Sequence, residues 1–392
     1  MQNSKYPPEQ DLQLRWNKVQ NLMKEIGAVA CLISSNVNLY YLTGQIFAGY
    51  VYLPLEGEPI EFVQRPINKE GKRVIFIRKP EDIPAILQEK GYKSTSSLLL
   101  EADQITYNEY IRLQKAFNPE ITGNATPVLR KARMTKTAWE IEQMRISAKH
   151  HSEAYKMIPT VFQKGMKDSD FQYEIERLMR KNGSLGIFRT FGHNMDIFMG
   201  SVLTGNNAST PSPYDFALGG GGLSPCMPIS ANGEIIKEGQ AVMVDMAGNF
   251  TAYMTDMTRV FSYGTLPDIA YKAHELSVDI HNRFLNAKVG DSCFEIYNQC
   301  LEMAQEAGFA SNFMGTVQQS KFAGHGVGIE INEPPILMGR SKDVLEEGMT
   351  IAFEPKFVFP EIGAVGIENT YLVGKTDLEK LTVFEEDILK IG

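Results

Sequence analysis

The stretch AVMVDMAGNFTAYMTDMTRVF, residues 241–261, reads as two apolar strands joined by a turn containing Gly248 and Asn249. Asp245 and Asp256 stand 11 positions apart, so a reversal centred between Phe250 and Thr251 sets them directly opposite each other. Opposed residues on one face have Cβ atoms about 4.5–5.5 Å apart, where like charges repel. Two carboxylates within a hairpin built of Val242, Val244, Met246, Met254, Met257 and Val260 need a cation or a shared proton. The alternative is that one of them points outward or caps the turn.

A second hairpin has the same form: MTIAFEPKFVF, the turn PEIG, then AVGIENTYLV. Glu354 and Glu368 are 14 apart and their midpoint falls on Glu361, so an odd-length loop places them opposite each other. Glu is depleted in strands, which makes one on each arm informative, with structural salt bridges as the competing explanation. A third segment, FAGHGVGIEINEPP at 322–335, sets His325 among Gly324, Gly326 and Gly328, residues that let the backbone approach another group closely. Neutral imidazole is the commonest nitrogen ligand for metals.

The three segments explain one another. Four carboxylates carry a charge of about −4, which two divalent ions offset, and an oxygen-rich set with one imidazole suits Mn, Fe, Co or Zn. Two such ions about 3.5–4 Å apart activate a bridging water and polarise a carbonyl. No nucleophile elbow or dinucleotide fingerprint competes for this region. Gly219–Gly222 lacks the lysine and the strand–helix context of a phosphate loop and reads as a flexible or substrate-contacting loop.

Working outward, the chain has 392 residues, 43% hydrophobic and 22% charged, with a net charge of −8. That length predicts two or three domains. The acidic balance argues against nucleic acid or an anionic membrane as the main partner. The polar N-terminus and the lack of a long apolar run predict a cytoplasmic protein. Cys31, Cys226, Cys293 and Cys300 show no CxxC spacing and read as buried thiols.

Residues 11–27 predict an amphipathic helix with Leu14, Val19, Leu22, Met23 and Ile26 on its apolar face. Strands and helices alternate up to about 101, the pattern of an α/β unit. Pro119, Gly123, Asn124 and Pro127 mark the boundary, giving domains at 1–130 and 131–392. Helical patterns follow at 137–160 and 168–182, and later near 266–288 and 292–307.

The order Asp, Asp, His, Glu, Glu on these strands resembles the pita-bread metallopeptidases: aminopeptidase P, prolidase and methionine aminopeptidase, with creatinase as a relative. The pattern D-x10-D with a trailing D-x-T-R matches Asp245, Asp256, Thr258 and Arg259. G-H-G-x-G matches 324–328, E-P matches Glu354-Pro355, and E-x-T matches Glu368-Asn369-Thr370. The likeness extends to LRKARMTKTAWEIEQMR and to SNVNLYYLTG, nearly the whole chain.

The resemblance implies an α+β fold, with a C-terminal pita-bread domain preceded by a smaller α/β creatinase-type N-terminal domain. It implies two divalent metal ions: Asp245 on the first, Asp256 and Glu368 bridging, His325 and Glu354 on the second, with Glu354 as general base. It also implies a homodimer and hydrolysis of the N-terminal peptide bond of small peptides, as in Xaa-Pro aminopeptidases and dipeptidases. The alternative is a non-peptidase hydrolase or lyase acting on a small metabolite.

The sequence departs from the pattern at four places. Ser212 and Asn332 replace two histidines that help bind substrate, Gly366 replaces an arginine, and Lys356 replaces the glycine after Glu-Pro. Lys356 reads as a solvated surface residue and His193 as a structural one, with a replacement cation or proton donor as the alternative for each.

Overall fold

Leu12, Trp16, Val19 and Met23 recur at helical spacing, and they form the buried face of the helix Glu9–Glu25. Leu14 and Ile26, expected on that face, are exposed: Leu14 lies on the opposite side of the helix from Trp16, and Ile26 is the capping residue just past the helix end. The computed structural model describes residues 5–92, 96–192, 195–214 and 216–392. Contacts divide the chain into Met1–Arg133 and Met134–Gly392.

The first unit holds a six-stranded sheet in the order Val74–Phe76, Ile60–Arg65, Ala48–Pro54, Ala30–Ile33, Ser97–Leu100, Ile121–Asn124. Ala48–Pro54 pairs antiparallel with both Ala30–Ile33 and Ile60–Arg65, and the other neighbours pair in parallel. SNVNLYYLTG folds as the helix Asn36–Thr43, capped by the Ser35 hydroxyl and ended by Gly44 in the left-handed conformation.

The second unit is built twice over on one plan. A four-stranded sheet runs Leu389–Ile391, Thr255–Tyr263, Gln240–Gly248, Gly200–Thr204. The helices Ala138–Tyr155 and Asp168–Lys181 cover it, with Tyr155, Phe171 and Ile175 set against Val244, Met246 and Phe261. A five-stranded sheet runs Glu333–Met338, Phe322–Gly326, Thr350–Phe353, Asn369–Val373, Leu378–Lys380. The helices Asp268–Phe284 and Cys293–Glu306 cover that one, with Ile280, Phe284 and Ile296 against Ile351, Phe353 and Tyr371. Burying a side chain of this size contributes about 1.5–3 kcal/mol, so both sheets are firm platforms.

A bridge between Thr258 and Glu368 joins the two sheets, and a two-stranded ladder, Lys356–Phe359 with Gly363–Gly366, extends beside the join. The helix expected over 137–160 stops at Tyr155 and gives way to a short 3-10 turn, Ile158–Val161, which carries Pro159. Cys31, Cys293 and Cys300 are buried free thiols, whereas Cys226, expected to be buried too, is exposed. Its segment between Gly222 and Pro228 forms a surface turn, Met227 N donating to Ser224 O at 2.9 Å. Among the described residues no helix is long and apolar enough to cross a membrane.

Candidate metal centre

The first hairpin forms with a shifted register. Asp245 stands opposite Thr258 and Asp256 opposite Ala247, so the two aspartates are diagonal neighbours on one face. The expected direct opposition fails because the reversal is centred one residue later. Thr251 draws it there: its hydroxyl accepts the Tyr253 N–H at 3.1 Å in a side-chain turn.

The second hairpin keeps the expected register. Phe353 pairs with Asn369 and Lys356 with Gly366, so Glu354 and Glu368 face each other in the gap between the two ladders. Pro355 makes that gap, since it has no N–H to give.

Glycines at 324 and 326 are required on steric grounds. A Cβ at Gly324 would lie 2.6 Å from the Ala352 carbonyl, and one at Gly326 would lie 2.2 Å from the Pro334 carbonyl. These close approaches seat His325 beside the acids. Its Nδ1 is 3.1 Å from the Gly326 carbonyl, the place for the ring proton, and its Nε2 is 3.4 Å from Glu354 Oε1.

All five residues meet at the join between the sheets. Asp256, His325 and Glu368 place ligand atoms within 4.8 Å of one another, and Asp245, Glu354 and Glu368 do the same. Two threonines tie the halves together reciprocally. Thr258 donates to Glu368 Oε2 at 2.8 Å, while Thr370 accepts from Asp256 N at 2.8 Å and donates to Asp256 O at 3.0 Å. Arg259 is fully buried and donates to the carbonyls of Thr258 and Glu368 at 2.8 and 2.9 Å. Sequence reasoning quoted these residues as part of a pattern without finding their role. The two-residue spacing from Asp256 and from Glu368 was the signal, because it puts acid and hydroxyl on one face.

Lys356 corrects the expectation of a solvated surface residue: it is 0% exposed. Its Nζ donates to Asp245 Oδ2 at 2.8 Å, Glu354 Oε2 at 2.8 Å and Glu368 Oε2 at 3.1 Å. The physical reason is strand periodicity, since position 356 shares a face with Glu354 two residues earlier.

Ionisation in this cluster is strongly shaped by its surroundings. Burial disfavours a charged Lys356, but Asp245, Glu354 and Glu368 more than offset that and hold its pKa well above the usual lysine range. Burial would raise Glu354, yet Lys356 and His325 bring it down to about 2. Burial and the Glu354 charge push Glu368 up to about 8. Burial, then Glu368 and Asp245, push Asp256 well above the carboxylate range. Burial would lower His325, but Glu354 raises it overall. Two carboxylates held this way lack enough positive charge around them.

Ser212 and Asn332, which stand where the family pattern has histidines, both bond to backbone groups. Ser212 Oγ donates to the Pro228 carbonyl at 2.9 Å, and the Asn332 amide pairs with both backbone groups of Phe191 at 2.7 and 2.8 Å. His193 lies outside the described residues. The Gly219–Gly222 loop, expected to be flexible, is tied down: Gly219 O accepts from Ser230 N at 2.6 Å and Gly221 N donates to Asn207 Oδ1 at 2.8 Å.

Comparison with known proteins agrees with this architecture. The model of metallopeptidase family M24 matches residues 142–375, and that of the creatinase/prolidase N-terminal domain matches residues 15–135. An Xaa-Pro dipeptidase of Pyrococcus furiosus is 24% identical over 382 residues, spanning 96% of this chain and 99% of the relative. Among solved structures, the Xaa-Pro dipeptidase from Bacillus anthracis superposes with a TM-score of 0.81 at 21% identity, covering 97% of this chain and 100% of that one. The prolidase from Pyrococcus horikoshii OT3 gives a TM-score of 0.77 at 23% identity, covering 95% and 98%. Family M24 covers well over half of the sequence and the fold agrees throughout, so this chain belongs to metallopeptidase family M24, with a creatinase-type N-terminal domain before its pita-bread domain.

Proposed function

We propose that this chain hydrolyses the N-terminal peptide bond of small peptides, Xaa-Pro peptides among them, with a divalent metal bound at the join between the two sheets. The observation that carries this is a buried oxygen without a partner. Glu368 Oε1 makes no hydrogen bond among the described residues and belongs to the residue grouped with Asp256 and His325 as candidate ligands. A buried carboxylate oxygen left alone costs about 1–3 kcal/mol or more, which a cation relieves. The donor set, carboxylates plus one imidazole, suits Mn, Co, Zn or Fe.

Asp256, His325 and Glu368 would hold a divalent ion, which when bound would supply Lewis acidity toward a water and the scissile carbonyl. The protein does the rest. Glu354 is the general base: Lys356 occupies its Oε2, and its Oε1, 3.4 Å from His325 Nε2, takes the proton of the attacking water and passes it to the leaving amine. Asp245 and His325 are the members of the cluster with partly exposed side chains, 21% and 13%, so substrate enters on their side. The three N–H donors of Lys356 are all engaged by carboxylates, so it is a fixed charge and not a donor to the substrate oxyanion. We further propose a cytoplasmic homodimer, on composition and family resemblance alone.

The relatives named as Xaa-Pro dipeptidases favour a peptide substrate over a small metabolite. The test is a panel of Xaa-Pro and Xaa-Ala dipeptides and tripeptides offered to protein loaded with Mn²⁺ or Co²⁺, with Asp256→Ala as control. Turnover that disappears in the control supports the proposal. No turnover of any peptide by fully metal-loaded protein contradicts it.

A further inference from the structure

We infer that the Lys356 ammonium occupies one of the two cation places of this centre, so that each chain binds a single divalent ion, at Asp256, His325 and Glu368. This rests on the reading of the cluster as a metal centre.

Two triads of ligand atoms exist, Asp256–His325–Glu368 and Asp245–Glu354–Glu368. The three partners of the Lys356 ammonium are the three members of the second triad. An ammonium has three N–H donors and each finds one carboxylate oxygen, so the tripod is complete without a metal. Among the described residues, no lysine or arginine forms an ion pair with the first triad except at this shared Glu368.

The two oxygens of Glu368 divide the cluster the same way. Oε2 already accepts from Thr258 and Lys356, while Oε1 is buried with no partner. One oxygen faces a place already filled by a cation, and the other lacks one.

Charge leads to the same count. The ammonium and one divalent ion offset three of the four carboxylate charges. Two divalent ions would offset all four, leaving a fully buried ammonium beside ligands already neutralised, which is costly. Lys356 is held by the ladder partner Gly366 and is wholly enclosed, so its stem cannot lead the ammonium to water without moving the strand.

The consequence is chemical. An ammonium carries charge but no coordination position, so it neither binds water as a ligand nor polarises a carbonyl by coordination. It holds Asp245, Glu354 and Glu368 in place before any metal arrives. The enzyme is then a one-metal hydrolase whose second cation is part of the chain.

Metal counting tests this on the full-length protein, stripped with chelator, dialysed against excess Mn²⁺ and passed through a desalting column. Metal per chain is measured by mass spectrometry and the Mn²⁺ electron paramagnetic resonance spectrum is recorded. One ion per chain with an uncoupled six-line spectrum is expected. Lys356→Gly should take up two ions with an exchange-coupled spectrum, and Lys356→Met, which keeps the volume, should also gain uptake. Two ions with a coupled spectrum in the unmodified protein would overturn the inference and leave the metallopeptidase reading standing. No bound metal at all would overturn both. A folded Lys356→Gly and a folded Lys356→Met that both remain at one ion would also overturn it.

Discussion

Gly366 lies directly across the two-stranded ladder from Lys356, with φ of +120° and no room for a side chain. A Cβ there would sit 2.8 Å from the Pro355 carbonyl and 3.0 Å from Lys356 Cα. The two departures from the family pattern in this hairpin are therefore neighbours: the positive side chain stands on one strand, and the facing position is emptied. Gly366→Ala should destabilise the protein by about 1–3 kcal/mol, from backbone strain and the clash together. Urea unfolding checks this, and a midpoint equal to that of the unmodified protein would show that the ladder is looser than described.

Thr258 holds Glu368 Oε2 through a buried hydroxyl. Thr258→Val keeps the shape and removes one of the two donors to Oε2, Lys356 being the other, so the carboxylate is less firmly oriented. Partners of this kind typically matter 10–100-fold for metal affinity. Calorimetric titration with Mn²⁺ should show weakening of about that size, whereas unchanged affinity would mean that Lys356 alone orients the carboxylate.

Two buried histidines set an acid limit on folding. His151 and His281 are enclosed, and burial brings each down to about 3 from a usual 6.5. Below pH 6.5 the unfolded chain therefore binds more protons than the folded one. This contribution to stability is intact above pH 6.5, declines as pH falls, and is fully lost near pH 3. Each histidine should cost about 2 kcal/mol by pH 5. The difference in unfolding free energy between pH 7 and pH 5 should shrink by about that amount in His151→Gln, and a variant with the same pH dependence as the parent would contradict it.

Much of this architecture was legible in the sequence because apolar hairpins with turn residues state their own register. Glu354 and Glu368 were placed opposite each other by counting to Glu361, which occupies the turn with φ of +69°. The aspartate pair came out one step wrong, since the Thr251 side-chain turn competes with Gly248 and Asn249 for the reversal, and a propensity count does not weigh a single hydroxyl. Lys356 was missed for a different reason. A lone lysine in an apolar strand is read as solvent-facing by default, and only its two-residue step from Glu354 reports that it shares the acidic face. The roles of Ser212 and Asn332 depend on which backbone groups lie near, Pro228 and Phe191, contacts set by loops far away in sequence.

The central claim is that this acidic cluster is a metal-dependent hydrolytic site with Glu354 as its base. The most direct measurement is turnover of an Xaa-Pro dipeptide by the unmodified protein and by Glu354→Gln, with metal content determined on the same samples. Glutamine keeps an oxygen for the cluster but cannot accept the proton. The variant should retain most of its metal and lose turnover by at least ~10². A metal-replete Glu354→Gln enzyme as active as the parent would contradict it.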